Sequence, residues 1–176
     1  MKINTYIKIL VLVLILTPAV IAGCIRSVDK EYGGHGEILS IGAYKPKLLD
    51  KIVYSSVAGK SYVITPREDG LKIAAVRIRA VNKTSAQVVM SVDENAVNLI
   101  PENGSPINPI VVHDRAEETT EEVSEGNPYG AHLWGTFQLA RDFEVAGWFF
   151  FEVDPGNEFT DIIWEDVEYV RVPYRD

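Results

Sequence analysis

From Glu37 onward, apolar and polar residues alternate in short runs with a period near two. The pattern predicts strands over Ile38–Tyr44, Lys51–Val57, Tyr62–Thr65, Leu71–Val81, Gln87–Val92, Ala96–Ile100, Ile110–His113, His132–Leu139 and Val145–Val153, with Asp161–Val172 as a further strand in two pieces. Each run is rich in Val, Ile, Tyr, Phe or Trp, which suit a pleated, half-buried surface. Turn-forming clusters separate them, among them Glu68-Asp69-Gly70, Asn82-Lys83-Thr84-Ser85, Asn103-Gly104-Ser105-Pro106 and Asp154-Pro155-Gly156-Asn157. No long stretch carries the 3.6-residue apolar period, so the only long helix expected is at the N-terminus. Many short strands of this kind imply an all-β sandwich or barrel.

Two runs carry finer information. In Leu71–Val81, Leu71 and Ile73 share one face, whereas Val76, Ile78 and Ala80 share the other, opposite Arg77 and Arg79. The apolar face switches near Ala74-Ala75, as a β-bulge or burial on both faces would require. In Trp148–Val153, Phe149, Phe151 and Val153 form one face and Trp148, Phe150 and Glu152 the other. Such a strand is either covered on both sides or presents an aromatic patch.

The N-terminus has a different pattern. Lys2 and Lys8 precede an apolar run from Ile9, and no charge occurs between Ile9 and Ile25. This is the layout of an export signal. Its closing tetrapeptide, Ile21-Ala22-Gly23-Cys24, resembles the lipobox of bacterial and archaeal lipoproteins. The resemblance implies diacylglyceryl transfer to the Cys24 sulfur and cleavage before it. Ordinary signal cleavage after Val20-Ile21-Ala22 and an uncleaved span are the competing readings, although the run falls short of the ~20 residues a span needs. Cys24 is the only cysteine, so it has no disulfide partner within the chain. The expected organisation is a leader over 1–23, a flexible tether over 24–36 containing Gly33, Gly34 and Gly36, and one domain over 37–176. The expected location is the outer face of a prokaryotic cell membrane, anchored through a lipid on Cys24.

Charge narrows the list of partners. The 176 residues carry a net charge of −8, and loss of Lys2 and Lys8 with the leader makes it −10. A domain this acidic is a poor partner for nucleic acid and for anionic lipid.

Few residues are arranged for chemistry. Glu117, Glu118, Glu121, Glu122 and Glu125 form an acidic loop, a candidate weak cation site, but they lack the Asp, Asn and Gly pattern of a calcium loop. A solvated loop is the plainer reading. His35, His113 and His132 show no ligand spacing, so no transition-metal site and no cofactor are expected. No Ser stands in a Gly-x-Ser-x-Gly elbow, and no catalytic constellation emerges. Asn82-Lys83-Thr84 and Asn103-Gly104-Ser105 are candidate glycan acceptors in turns. By alternation Trp134, Trp148 and Phe150 point away from Phe137, Leu139, Phe149 and Phe151, so these three are the candidate partner or ligand patch unless another layer or the 101–130 excursion covers them.

The stretch Leu71–Thr84, ending in Val81-Asn82-Lys83-Thr84, resembles a strand of the 4352 family of domains of unknown function. So do Gly135–Leu139 and the run Glu144-Val145-Ala146-Gly147-Trp148-Phe149-Phe150-Phe151-Glu152-Val153. The likeness spans roughly Ile38 to Val172, with its informative motifs in about 30 residues. It departs where the family carries an Asp-x-x-Gly turn, for which Glu102-Asn103-Gly104 is the nearest equivalent. The resemblance implies an immunoglobulin-like antiparallel β-sandwich of the kind found on secreted proteins and lipoproteins, and it brings no catalytic residues. The expected function is a binding or interaction module for a protein or small ligand; the alternative is a structural envelope lipoprotein with no soluble ligand.

Overall fold

The longest strand organises the molecule. The computed structural model describes residues 29–175; the leader, its expected helix and Cys24 lie outside them. Thirteen strands form: β1 (Glu31–His35), β2 (Leu39–Tyr44), β3 (Lys47–Leu49), β4 (Ile52–Ser55), β5 (Ser61–Ile64), β6 (Lys72–Asn82), β7 (Gln87–Val92), β8 (Val97–Pro101), β9 (Glu117–Glu118), β10 (Gly135–Ala140), β11 (Glu144–Val153), β12 (Phe159–Trp164) and β13 (Val170–Pro173), with a single-turn helix α1 at Val112–Arg115. The central sheet runs β1-β2-β6-β11, with β3 also on β6. The long β6 pairs with β11 in unbroken register from Lys72↔Val153 to Val81↔Glu144. All the named strand pairs are antiparallel.

The inner face of this sheet carries Ile41, Ala43, Ala74, Val76, Ile78, Ala80, Phe149, Phe151 and Val153 into the main core. There it meets Met90, Val97, Leu99, Leu139, Ile162, Trp164 and Val172 from β7–β10 and β8–β12–β13. The expected immunoglobulin-like antiparallel sandwich is therefore the fold that forms. A third layer is added on the outside: β4–β5–β9 and the segment before and after α1 cover Ile73, Ala75 and Phe150 with Ile52, Tyr54, Ile64 and Ile110. The face switch in Leu71–Val81 thus comes from burial on both sides, not from a bulge, because register along β6 never shifts.

Three local expectations need correction. Residues 31–35, assigned to the tether, form β1 and pair with β2 from Glu31↔Tyr44 to His35↔Ser40. Gly34 marks a close approach rather than a linker. A Cβ on Gly34 would stand 2.3 Å from the backbone carbonyl oxygen of Arg171 in β13. Second, Ile110–His113 is not a strand: Ile110 donates its N–H to the Phe150 carbonyl at 2.7 Å, and the chain then turns through α1. Third, His132 makes one isolated bridge to Trp148 and the strand proper starts at Gly135, whose φ of 101° breaks the run.

Polar anchors fix the layers. The Glu168 carboxylate accepts backbone N–H bonds from Glu37 at 2.8 Å, Ile38 at 2.9 Å and Leu39, tying the β12–β13 turn to the start of β2. Arg171 grips the buried Asp161 carboxylate with Nε–Oδ1 at 2.6 Å and Nη2–Oδ2 at 2.9 Å, which holds that carboxyl below its usual range. On the outer face, burial pushes the Glu152 carboxyl up, but the Arg67 N–H and Arg115 outweigh it, so its pKa is lowered.

Candidate functional site

The outer layer leaves a groove of about 580 Å³ on its β11 side. Tyr54 of β4 and Tyr62 of β5 lie opposite each other in register, so their rings stack with centroids 5.7 Å apart at 22°. Val57 in the β4–β5 turn, Val112 and His113 of α1, and the 130–134 segment supply the other walls. Trp134 stands half-buried, its ring 6.2 Å from that of His113. His132 packs edge-on to Tyr54 at 4.6 Å and to Phe150 at 5.5 Å. Burial lowers its pKa, against a smaller opposing effect of a backbone hydrogen bond with Tyr129, so the ring is neutral near pH 7. Its Nε2 is buried with no partner among the described residues.

Gly130 allows the wall to close. A Cβ there would meet the Ser55 carbonyl oxygen at 2.7 Å, and one on Gly147 would meet the Leu133 nitrogen and the Ala131 oxygen at 2.7 and 2.8 Å. The glycines let the 130–134 segment lie directly against β4 and β11. Asn127 adds a clamp, donating to the Val53 carbonyl at 2.9 Å.

The three rings singled out in the sequence do not form one exposed patch. Phe150 is 1% exposed beneath the outer layer. Trp148 is half-buried, with the Tyr129 ring 4.8 Å away. Trp134 alone lines the groove. Trp148 and Phe150 share the outer face of β11, whereas Trp134 precedes β10 and the break at Gly135, and the cover drawn from residues 110–132 is what alternation could not supply. Tyr54 and Tyr62 were missed as site residues, although two tyrosines in adjacent predicted strands were the available signal.

Other sequence-selected residues separate clearly. Asn82 is fully buried, and its amide donates to the carbonyls of Ser85 and Leu139 at 2.9 Å each, so the folded chain offers no acceptor there. Asn103 stands exposed after β8. In the acidic loop, Glu117 and Glu118 form β9 against β5. Glu118 pairs with Lys60 at 2.7 Å and Glu121 with Lys51 at 2.6 Å, while Glu122 and Glu125 are exposed. Among the described residues no group of three or more His, Cys, Asp or Glu is placed to hold a metal ion. Cys24 lies outside the described residues.

No family model matches the chain, and no curated protein matches it. The 4352-family resemblance therefore rests on the quoted motifs alone. Among solved structures the chain is similar to the Bacillus subtilis protein ycdA, described as a candidate lipoprotein, with 16% identity and a TM-score of 0.47. The match covers 84% of this chain and 36% of that one, so the chain spans about a third of its length. At that identity and TM-score the likeness carries neither ligand nor location across.

Proposed function

We propose that the protein is a lipid-anchored extracytoplasmic binding module, held by Cys24 and binding through the groove between β4–β5, α1 and the 130–134 segment. The observation that supports this most is the groove's composition. It is concave, walled by aromatic rings, and of a size within the ~300–1,000 Å³ range of small-molecule sites. Tyr62, stacked on the buried Tyr54, and Trp134 offer partly exposed apolar faces, and their polar edges supply orientation. No general acid, base or nucleophile is assigned a role, so binding rather than turnover is the proposed activity.

Anchoring and binding are tested separately. Mass spectrometry of the chain purified from membranes should show a mature N-terminus at Cys24 bearing a diacylglyceryl group. An unmodified thiol there removes the anchor. A photoreactive leucine analogue at the exposed groove residue Val57 should crosslink to a discrete species in the native membrane, and the same analogue at exposed Val89 should not. Equal labelling from both positions removes the groove.

A further inference from the structure

We infer that the groove takes a neutral carbohydrate, an inference that rests on reading it as the binding surface. Three observations on the page define the ligand. First, no Asp, Glu, Lys or Arg lines the groove, although the chain is strongly acidic. Lys60, two residues before Tyr62, and Glu118, opposite Tyr62 in the β5–β9 register, neutralise each other at 2.7 Å. A charged ligand would lose water and gain no counter-charge. Second, the walls are flat rings, the surface against which the C–H face of a sugar ring packs.

The third observation separates sugars from apolar ligands. Tyr54 is 6% exposed, yet its hydroxyl has no hydrogen-bond partner among the described residues and is not sealed from solvent. Tyr54 is itself one of the residues lining the groove. The Tyr62 hydroxyl and the Trp134 indole N–H likewise have no hydrogen-bond partner among the described residues. An apolar side chain or acyl chain would bury these groups unpaired, which costs binding energy. A ring carrying hydroxyls covers the aromatic faces and supplies acceptors and donors together. Rings and unpaired edges thus ask for one ligand chemistry.

The test uses the mature chain, purified in detergent, on an array of neutral glycans and their uronic, sialylated or sulfated counterparts. Neutral glycans should be retained and acidic counterparts excluded. With the best neutral glycan as probe, Trp134→Ala should weaken binding more than about tenfold. Tyr54→Phe, which keeps the ring and removes only the hydroxyl, should weaken it about two- to tenfold. The exposed Glu121→Gln should leave it unchanged. Retention of acidic glycans only, or binding indifferent to both groove variants, overturns the inference. A blank array with a protein crosslinked at position 57 overturns the carbohydrate and keeps the groove; a blank array with no crosslink removes both.

Discussion

The two faces of the β6–β11 ladder are built from the same strands and meet different fates. On the inner face, Ala74, Val76, Ile78, Ala80 and Phe151 stay fully buried, and Phe149 and Val153 are nearly so, because β7–β10 and β8–β12–β13 pack over the ladder. On the outer face the cover stops halfway. Ile73, Ala75 and Phe150 are buried; beyond them Arg77 is exposed, and Arg79 bridges Glu31 at 2.9 Å and Glu144 at 3.0 Å, with its pKa raised chiefly by Glu31. One face is spent wholly on stability. The other divides into a small core, an ion-pair cluster in water, and the groove at its rim. A binding site is easiest to build where a layer is incomplete, because a full layer leaves no concavity.

Truncation should break this contrast most sharply. Phe151→Ala removes an inner ring and should cost about 3–5 kcal/mol, read as a lower urea midpoint in one cooperative transition. Phe150→Ala should cost a similar or smaller amount, but with increased amide hydrogen exchange concentrated in β4 and β5. Equal acceleration throughout the sandwich would mean the outer layer is not a separate unit.

The glycines of β1 give a smaller, sharper test. Gly34→Ala forces a Cβ against the Arg171 carbonyl and should destabilise by about 1–3 kcal/mol. Gly33→Ala, with its nearest atom 4.0 Å away, should change stability by less than about 0.5 kcal/mol in thermal melts. Equal tolerance at both positions would return residues 31–35 to a loose linker.

Acid should weaken the outer layer first. The folded His132 pKa lies below the unfolded value of about 6.5, so the unfolded chain binds more protons as pH falls. Stability present above about pH 6.5 is then lost as pH falls toward the folded value. His132→Gln should flatten the urea midpoint between pH 7 and 5, where the native chain declines. Glu152 and Asp161, both lowered, contribute stability above about pH 4 that is lost as pH falls through their folded values. Smallest of all, Glu121→Gln removes an exposed pair with Lys51 and should cost under about 1 kcal/mol in the same melts.

Much of the sandwich was legible because period-two alternation survives in any strand with one buried face: Gln87–Val92 was bounded correctly from the pattern alone. Double-sided burial in β6 and β11 was legible as a choice, since an apolar outer half followed by Arg77 and Arg79 states where cover ends. β1 was not, because Gly33 and Gly34 signal flexibility in a sequence, whereas in the fold both pair in a strand and Gly34 is closely packed. Nor was the two-residue β9, whose strand character comes only from its partner β5. The groove was half legible. Trp134 stood out by composition, but Tyr54 and Tyr62 become a site only when Gly130 brings a distant segment against β4.

Because β1 begins at Glu31, only residues 25–30 separate Cys24 from the first strand. Seven steps of chain span at most about 25 Å. A lipid on Cys24 would therefore make a short leash, and the domain would sweep a thin layer above the bilayer. β11, against which the 130–134 wall of the groove lies, is three strand spacings from β1, or about 15 Å across the sheet. Encounters would be two-dimensional. Ligands displayed on the same membrane would then meet the groove at high effective concentration.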